Sequence, residues 1–199
     1  MKKLCVFLDN GHGNNTKGKC SPDKTILEYS WCREVVSRMR DRLTELDIPV
    51  IIITPELTDI SLTERVKRIN KYYAEMKAKG YQCLLISVHI NAAGNGDKWH
   101  NASGWTVWVS KNASKNSKRF AQISYDNASK AGLKGNRWVP VGKYWEADYK
   151  ILKDSYCPAV LTENLFQDNR GDVKILLSEE GKEKIVKIHI DSILQYINE

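Results

Sequence analysis

Short apolar runs rich in β-branched residues alternate along this chain with longer segments of helical period. That alternation constrains the fold more than any other feature. Residues 3–8 form a compact apolar strand, and residues 27–46 follow with Trp31, Val35, Val36, Met39, Leu43 and Leu46 at helical spacing. Residues 49–53 read as a second strand. Ser61-Leu62-Thr63-Glu64 is a capping-box pattern, with Glu64 expected to reach back to the Ser61 backbone. It opens a helix that runs to about Lys79 and stops at Gly80. Residues 83–88 give a third strand, 93–104 a polar loop, 104–110 an alternating strand and 114–130 a helix. Residues 132–148 show no clear period. Ile151-Leu152 and residues 158–162 suggest two last strands, and a final helix covers 179–197. The whole chain, 1–199, is predicted to be one α/β domain with a mostly parallel sheet.

Composition excludes several classes. Apolar residues make up 42% of the chain and charged residues 28%, which fits a folded core rather than a disordered segment. No apolar run is long enough to span a bilayer, so no stable membrane insertion is expected. The N-terminal MKKLCVFLDNGHG meets Asp9 too soon for a signal peptide, which predicts synthesis in the cytoplasm without a secretory leader. The five cysteines form no CxxC pair and read as free thiols. A net charge of +7 favours a polyanionic neighbour: nucleic acid, a membrane surface or an anionic wall polymer. The basic residues are mixed with acids along the helices, and a nucleic-acid binder would need a concentrated basic face.

One loop poses a chemical question. Gly13-x4-Gly18-Lys19 falls one residue short of a phosphate-binding loop. The next position is Cys20, a poor ligand for a hard cation, where a hydroxyl is required. Ser21-Pro22-Asp23 reads as a turn, and the helical pattern begins only later. A nucleotide site is therefore rejected.

The same loop collects partners as a metal site. Ligands of open parallel sheets sit outside the carboxyl ends of the strands. Asp9, Asn10 and His12 follow the first strand, His89 and Asn91 the third, and Glu163 and Asn164 the one after residue 158. Glu28 opens the first long helix. His12, Glu28, His89 and Glu163 thus converge on one edge. Two histidines and a carboxylate form a usual catalytic zinc shell with one open position, and a second carboxylate can take a proton from water. Gly11 and Gly13 allow a tight turn beside His12. His100 and His189 show no partner pattern, and His189 reads as a surface or boundary residue of the final helix.

At these residues the sequence resembles the zinc-dependent N-acetylmuramoyl-L-alanine amidases of the Amidase_3 type. The resemblance is carried by Leu8-Asp9-Asn10-Gly11-His12-Gly13, by Glu28, by Ser87-Val88-His89-Ile90-Asn91-Ala92 and by residues 158–164. Leu62-Thr63-Glu64-Arg65 with Ile69-Asn70 resembles the family's L-x-x-R helix. The motifs agree in order from residue 3 to about 197. The family usually has Pro where Asn10 stands, and a small residue and Gly where Asn164-Leu165 stand.

The resemblance implies a twisted six-stranded sheet flanked by helices on both faces, with one zinc ion held by His12, Glu28 and His89. It implies Glu163 as the catalytic acid/base, and cleavage of the amide between the lactyl group of N-acetylmuramic acid and L-alanine of peptidoglycan. Asn91 and Asp9 are near enough in sequence to support the ligands, and Asn91 is also a candidate substrate contact. Trp138, Tyr144 and Trp145 could present flat faces to sugar or stem, or pack their loop onto the sheet. Arg137, with Lys134 and Lys143, could meet stem carboxylates or keep the loop soluble. The expected setting is a phage-type endolysin released through a membrane lesion, with peptidoglycan as substrate and no obligate protein partner. The alternatives are a zinc hydrolase of another acyl-amide and a catalytically silent wall-binding module.

Overall fold

A computed structural model describes residues 3–199. Its six-stranded sheet has the order β2-β1-β3-β6-β4-β5. The strands are β1 (Leu4–Asn10), β2 (Val50–Ile52), β3 (Gln82–Asn91), β4 (Thr106–Val109), β5 (Trp145–Glu146) and β6 (Ala159–Phe166). The helices are α1 (Glu28–Glu45), α2 (Leu62–Ala78), α3 (Lys115–Lys130), α4 (Lys150–Lys153), α5 (Arg170–Leu177) and α6 (Glu179–Asn198). β1 runs parallel to β2 and β3, and β3 parallel to β6. β4 is antiparallel to β6 and parallel to β5, so the sheet is mostly parallel, as expected.

Alternation along the strands divides the core in two. Leu4, Val6 and Leu8 of β1, with Leu84, Ile86 and Val88 of β3, face Val35, Met39 and Leu43 of α1 and Ile185 and Ile193 of α6. Cys5, Phe7, Cys83 and Leu85 face the opposite side, with Ile69 of α2 and Ile151 and Leu152 of α4. Helices therefore cover both faces. Strands buried on both sides read as continuous apolar runs, which is why β1 and β3 are legible in the sequence.

Several boundaries differ from the sequence reading. β1 and β3 extend through Asn10 and Asn91, because polar residues at their ends stay in the ladder: Asn10 pairs with Val88 and His89 with Glu163. Ile151 and Leu152 belong to α4, not to a strand; two adjacent apolar residues carry no period to tell the two apart. α5 was not anticipated. It is capped by Asn169, whose side chain accepts from the N–H groups of Gly171 and Asp172. Ser61 caps α2 by accepting from Glu64 N–H, but the Glu64 carboxylate pairs with Arg68 instead of closing the box. All five cysteines are free. No helix among the described residues is long and apolar enough to cross a membrane.

One irregularity lies at the functional edge. Glu163 faces His89, but the next pairing is Asn91 with Phe166, so β6 carries one more residue than β3 over this step. Leu165 absorbs the bulge at φ +66° while its side chain stays buried.

Candidate metal centre and active site

The site is built at the carboxyl edge of β1, β3 and β6. After β1 the chain turns through His12, which adopts φ +56°. The left-handed residue is His12 itself; its neighbouring glycines supply room. A Cβ on Gly11 would lie 2.7 Å from His89 Nδ1, and one on Gly13 would run into the backbone of Asp59. The turn is braced by Arg33, which donates to the His12 carbonyl at 3.1 Å, and by Thr16, which donates to Asp59 at 2.6 Å.

Glu28, the first residue of α1, is almost fully buried. Its Oε1 accepts from Ile90 N–H at 3.0 Å and lies 3.2 Å from His89 Nδ1 and 3.5 Å from His12 Nε2. Its Oε2 is buried without a partner. Ligand atoms of His12, Glu28 and His89 all fall within 4.8 Å of one another. Donors about 2.0–2.1 Å from a tetrahedral zinc stand roughly 3.4 Å apart, and the 3.2 and 3.5 Å separations of the two histidine nitrogens from Glu28 Oε1 are close to that spacing. The rings of His12 and His89 meet edge to face, with centroids 5.0 Å apart.

Charge in this cluster is strongly perturbed. Burial pulls the His12 pKa down to about 4, so this ring is neutral and can donate a lone pair. Burial alone would also lower His89, but its hydrogen bond to Glu28 and the charges of Glu28, Glu163 and Asp9 outweigh burial and raise it. Burial would raise Glu28, yet the hydrogen bond and charge of His89, then the charges of His12 and Lys19, hold it below its usual value. Glu163 has no such hydrogen bond. Burial, with the charge of Glu28 in support and that of His89 in opposition, pushes it up to about 7. Two carboxylates in one site thus differ in readiness to bind a proton, as a ligand and a general base should.

The histidines and Glu163 open onto a cavity of about 730 Å³. Ile60, Leu62, Tyr149, Ile151 and Leu161 give it an apolar wall, while Lys19, Asp59 and Arg65 bring charge. Asp9 supports the frame without a hydrogen bond to either histidine. It is fully buried and accepts from Arg65 at 2.9 Å, Ser87 at 2.7 Å and Thr54 at 3.2 Å. Asn164 braces His89 from beneath, donating to its carbonyl at 2.9 Å and accepting from Trp105 Nε1 at 2.7 Å.

The other sequence candidates lie apart. Asn91 turns away, accepting from Ala92 N–H, and does not line the cavity. Trp138 is 76% exposed, and Arg137 lies over the Phe166 ring. Tyr144 sits beneath Lys118, and Trp145 packs between Trp108 and Tyr125. None of these four lines the cavity. The aromatic packing reaches it through Tyr149, whose ring stands 5.6 Å from Trp108. His100 does not line the cavity; its backbone N–H donates to the Asp168 carbonyl. His189 is buried, not at the surface: its Nδ1 faces the Ile185 carbonyl and its Nε2 faces Thr162. Its helix packs so closely on the sheet that a polar residue on the inner face is covered. Sequence reading did not single out Lys19, Tyr149 or Thr106 for this site. Lys19 stood in the glycine loop, but the other two carry no local signal.

The Amidase_3 family, described as N-acetylmuramoyl-L-alanine amidase, matches residues 6–195. The chain belongs to this N-acetylmuramoyl-L-alanine amidase family. Among relatives, the endolysin of Bacillus phage SPP1 is 27% identical over all of this chain and 67% of its own length. The N-acetylmuramoyl-L-alanine amidase CwlM of Bacillus licheniformis is 23% identical over 97% of this chain and 68% of its own. The fold matches the N-acetylmuramoyl-L-alanine amidase from Clostridium difficile 630 with a TM-score of 0.84 at 24% identity, covering 100% of this chain and 98% of that one. It also matches the catalytic domain of CwlV from Bacillus (Paenibacillus) polymyxa var. colistinus, at a TM-score of 0.79, 20% identity and coverage of 100% and 99%. Amidase family membership therefore rests on nearly the whole chain.

Proposed function

We propose that this amidase is a zinc-dependent hydrolase of the bond between the lactyl group of N-acetylmuramic acid and L-alanine in peptidoglycan. The observation that carries this is the convergence of His12 Nε2, Glu28 Oε1 and His89 Nδ1 within one coordination sphere, beside a Glu163 whose Oε2 has no partner. Zinc bound there would polarise the scissile carbonyl and make a water acidic near neutral pH. The protein's own contribution is positional. Glu28 holds its ligand oxygen through Ile90 N–H, and Asn164 fixes the strand that carries His89. Glu163 takes the proton of the attacking water and returns it to the leaving amine of L-alanine. The apolar wall of Ile60, Leu62 and Leu161 excludes water from one side of the reacting amide.

The likeness to a phage endolysin supports a lytic role. In that setting the enzyme is made in the cytoplasm and reaches the wall through a membrane lesion. The testing experiment measures amino groups released from purified peptidoglycan, with and without a chelator, and identifies the new N-terminus. Chelator-sensitive appearance of N-terminal L-alanine is expected. Stoichiometric zinc without any release would direct the same chemistry to another acyl-amide, and the absence of both bound zinc and release would sink the proposal.

A further inference from the structure

The glycine loop that resembles a phosphate loop ends in Lys19, and the chemistry above leaves that lysine unused. Its backbone is tied to the metal centre, because Glu28 N–H donates to the Lys19 carbonyl at 3.0 Å and Cys20 pairs with Leu27. Its side chain lines the cavity beside His12, His89 and Glu163. Its charge is felt by His12, Glu28 and Glu163.

The other cations of the cavity are already committed. Arg65 binds Asp9 and Asp59 at 2.9 and 2.8 Å and also the carbonyls of Asn10 and Ile60. Lys150 binds Asp154 at 2.7 Å. Among the described residues, no carboxylate lies within ion-pair distance of Lys19, although it is only half-exposed. A partly covered lysine without an ion-pair partner, in a cavity with an apolar wall, is set to gain from an anion delivered by a ligand.

We infer that Lys19 is a specificity-determining residue that receives a carboxylate of the stem peptide on the leaving-group side of the scissile amide. This rests on the amidase reading above. The acyl side of that amide is a neutral lactyl ether of a sugar. On the amine side, the residue after L-alanine carries an α-carboxylate that can be free or amidated. Lys19 distinguishes the two, because an ammonium–carboxylate ion pair forms only with the free acid, while the amide offers a neutral oxygen and a weaker hydrogen bond. The loop therefore does bind an anion, but from the lysine side chain and not from a cradle of backbone N–H groups.

The experiment uses the zinc-loaded full chain and two soluble muramoyl-L-alanyl peptides. Both have the γ-carboxyl of the second residue blocked; its α-carboxyl is free in one and amidated in the other. The free acid should be preferred about tenfold in kcat/KM, carried by KM. Lys19→Met should erase the preference by weakening only the free acid, and Lys19→Arg should restore part of it. Zinc content should not change.

Calorimetric binding of both peptides in a Glu163→Gln background supplies a readout independent of turnover, with the same tenfold ratio expected and lost in the Lys19→Met double variant. An equal fall in kcat for both peptides would overturn the inference and assign Lys19 to the developing oxyanion. Unchanged kinetics would overturn it and leave Lys19 a solvated bystander. If the wild-type protein cleaves neither peptide, the amidase reading falls. The binding ratio then still decides whether Lys19 selects a carboxylate.

Discussion

Thr106 stands directly opposite Glu163 across the antiparallel β4–β6 ladder, on the side away from His89. Thr106 Oγ1 and Glu163 Oε2 are both buried and both without a hydrogen-bond partner. Directly opposed residues bring their Cβ atoms to about 5 Å, so the hydroxyl is a near neighbour of the carboxylate proposed to move a proton. Thr106→Val keeps the shape and removes the hydroxyl. It should lower kcat about tenfold with KM little changed, and Thr106→Ser should recover most of the loss. Steady-state kinetics of the two variants checks this.

Glu163 should be separable from metal binding. Glu163→Gln retains the side-chain volume and leaves His12, Glu28 and His89 in place. Activity on peptidoglycan should fall at least about 100-fold, the usual contribution of a positioned general base. Zinc content, read by elemental analysis of dialysed protein, should remain stoichiometric. Loss of the ion in this variant would show that Glu163 is a ligand.

Arg65 and Asp9 form a buried ion pair that locks α2 to the end of β1. Arg65→Met strands a buried carboxylate that Ser87 and Thr54 alone must satisfy. The expected cost is about 3 kcal/mol, within the range for breaking one partner of such a pair. A lower urea midpoint at unchanged m-value would report it; an unchanged midpoint would contradict the structural role.

His189 should make the fold sensitive to mild acid. Burial lowers its pKa to about 4, against 6.5 when exposed. Well above pH 6.5 the residue is neutral whether folded or unfolded, and its contribution is fully retained. As pH falls from 6.5 towards 4 the unfolded chain takes up a proton that the folded chain refuses, so stability is lost. The total is about 3 kcal/mol, from 1.36 kcal/mol per pKa unit. Urea midpoints between pH 7 and 4.5 for the wild-type protein and His189→Leu should show a steeper fall for the wild type.

The parts of the fold that were legible in the sequence are those whose burial is continuous. β1, β3, α1 and α6 announce themselves because one or both faces are covered along their whole length. His12, Glu28, His89 and Glu163 were legible because few side chains can bind zinc or shuttle a proton, and all stand at the carboxyl edge of the sheet. β5 and α4 were not: with two and four residues they exist only through the partners that hold them. The burial of His189 and the Arg65–Asp9 pair depends on contacts between elements distant in sequence, which no local pattern records. Likewise Trp145 could be read as a substrate platform or as packing until its neighbours Trp108 and Tyr125 were placed.

The strand order carries a temporal consequence. β6 is the last strand in the chain, yet it lies inside the sheet, between β3 and β4. His12, Glu28 and His89 all precede it, so a growing polypeptide can gather its ligands while the edge of β3 is still unpaired. Glu163 arrives only when β6 enters that gap and closes the two halves of the sheet. Until then the nascent chain exposes a long apolar edge, open to mispairing. The proposed acid/base is therefore the last of the four site residues to be placed, and only then does α6, which follows β6 in the chain, cover the core face that β1 and β3 present.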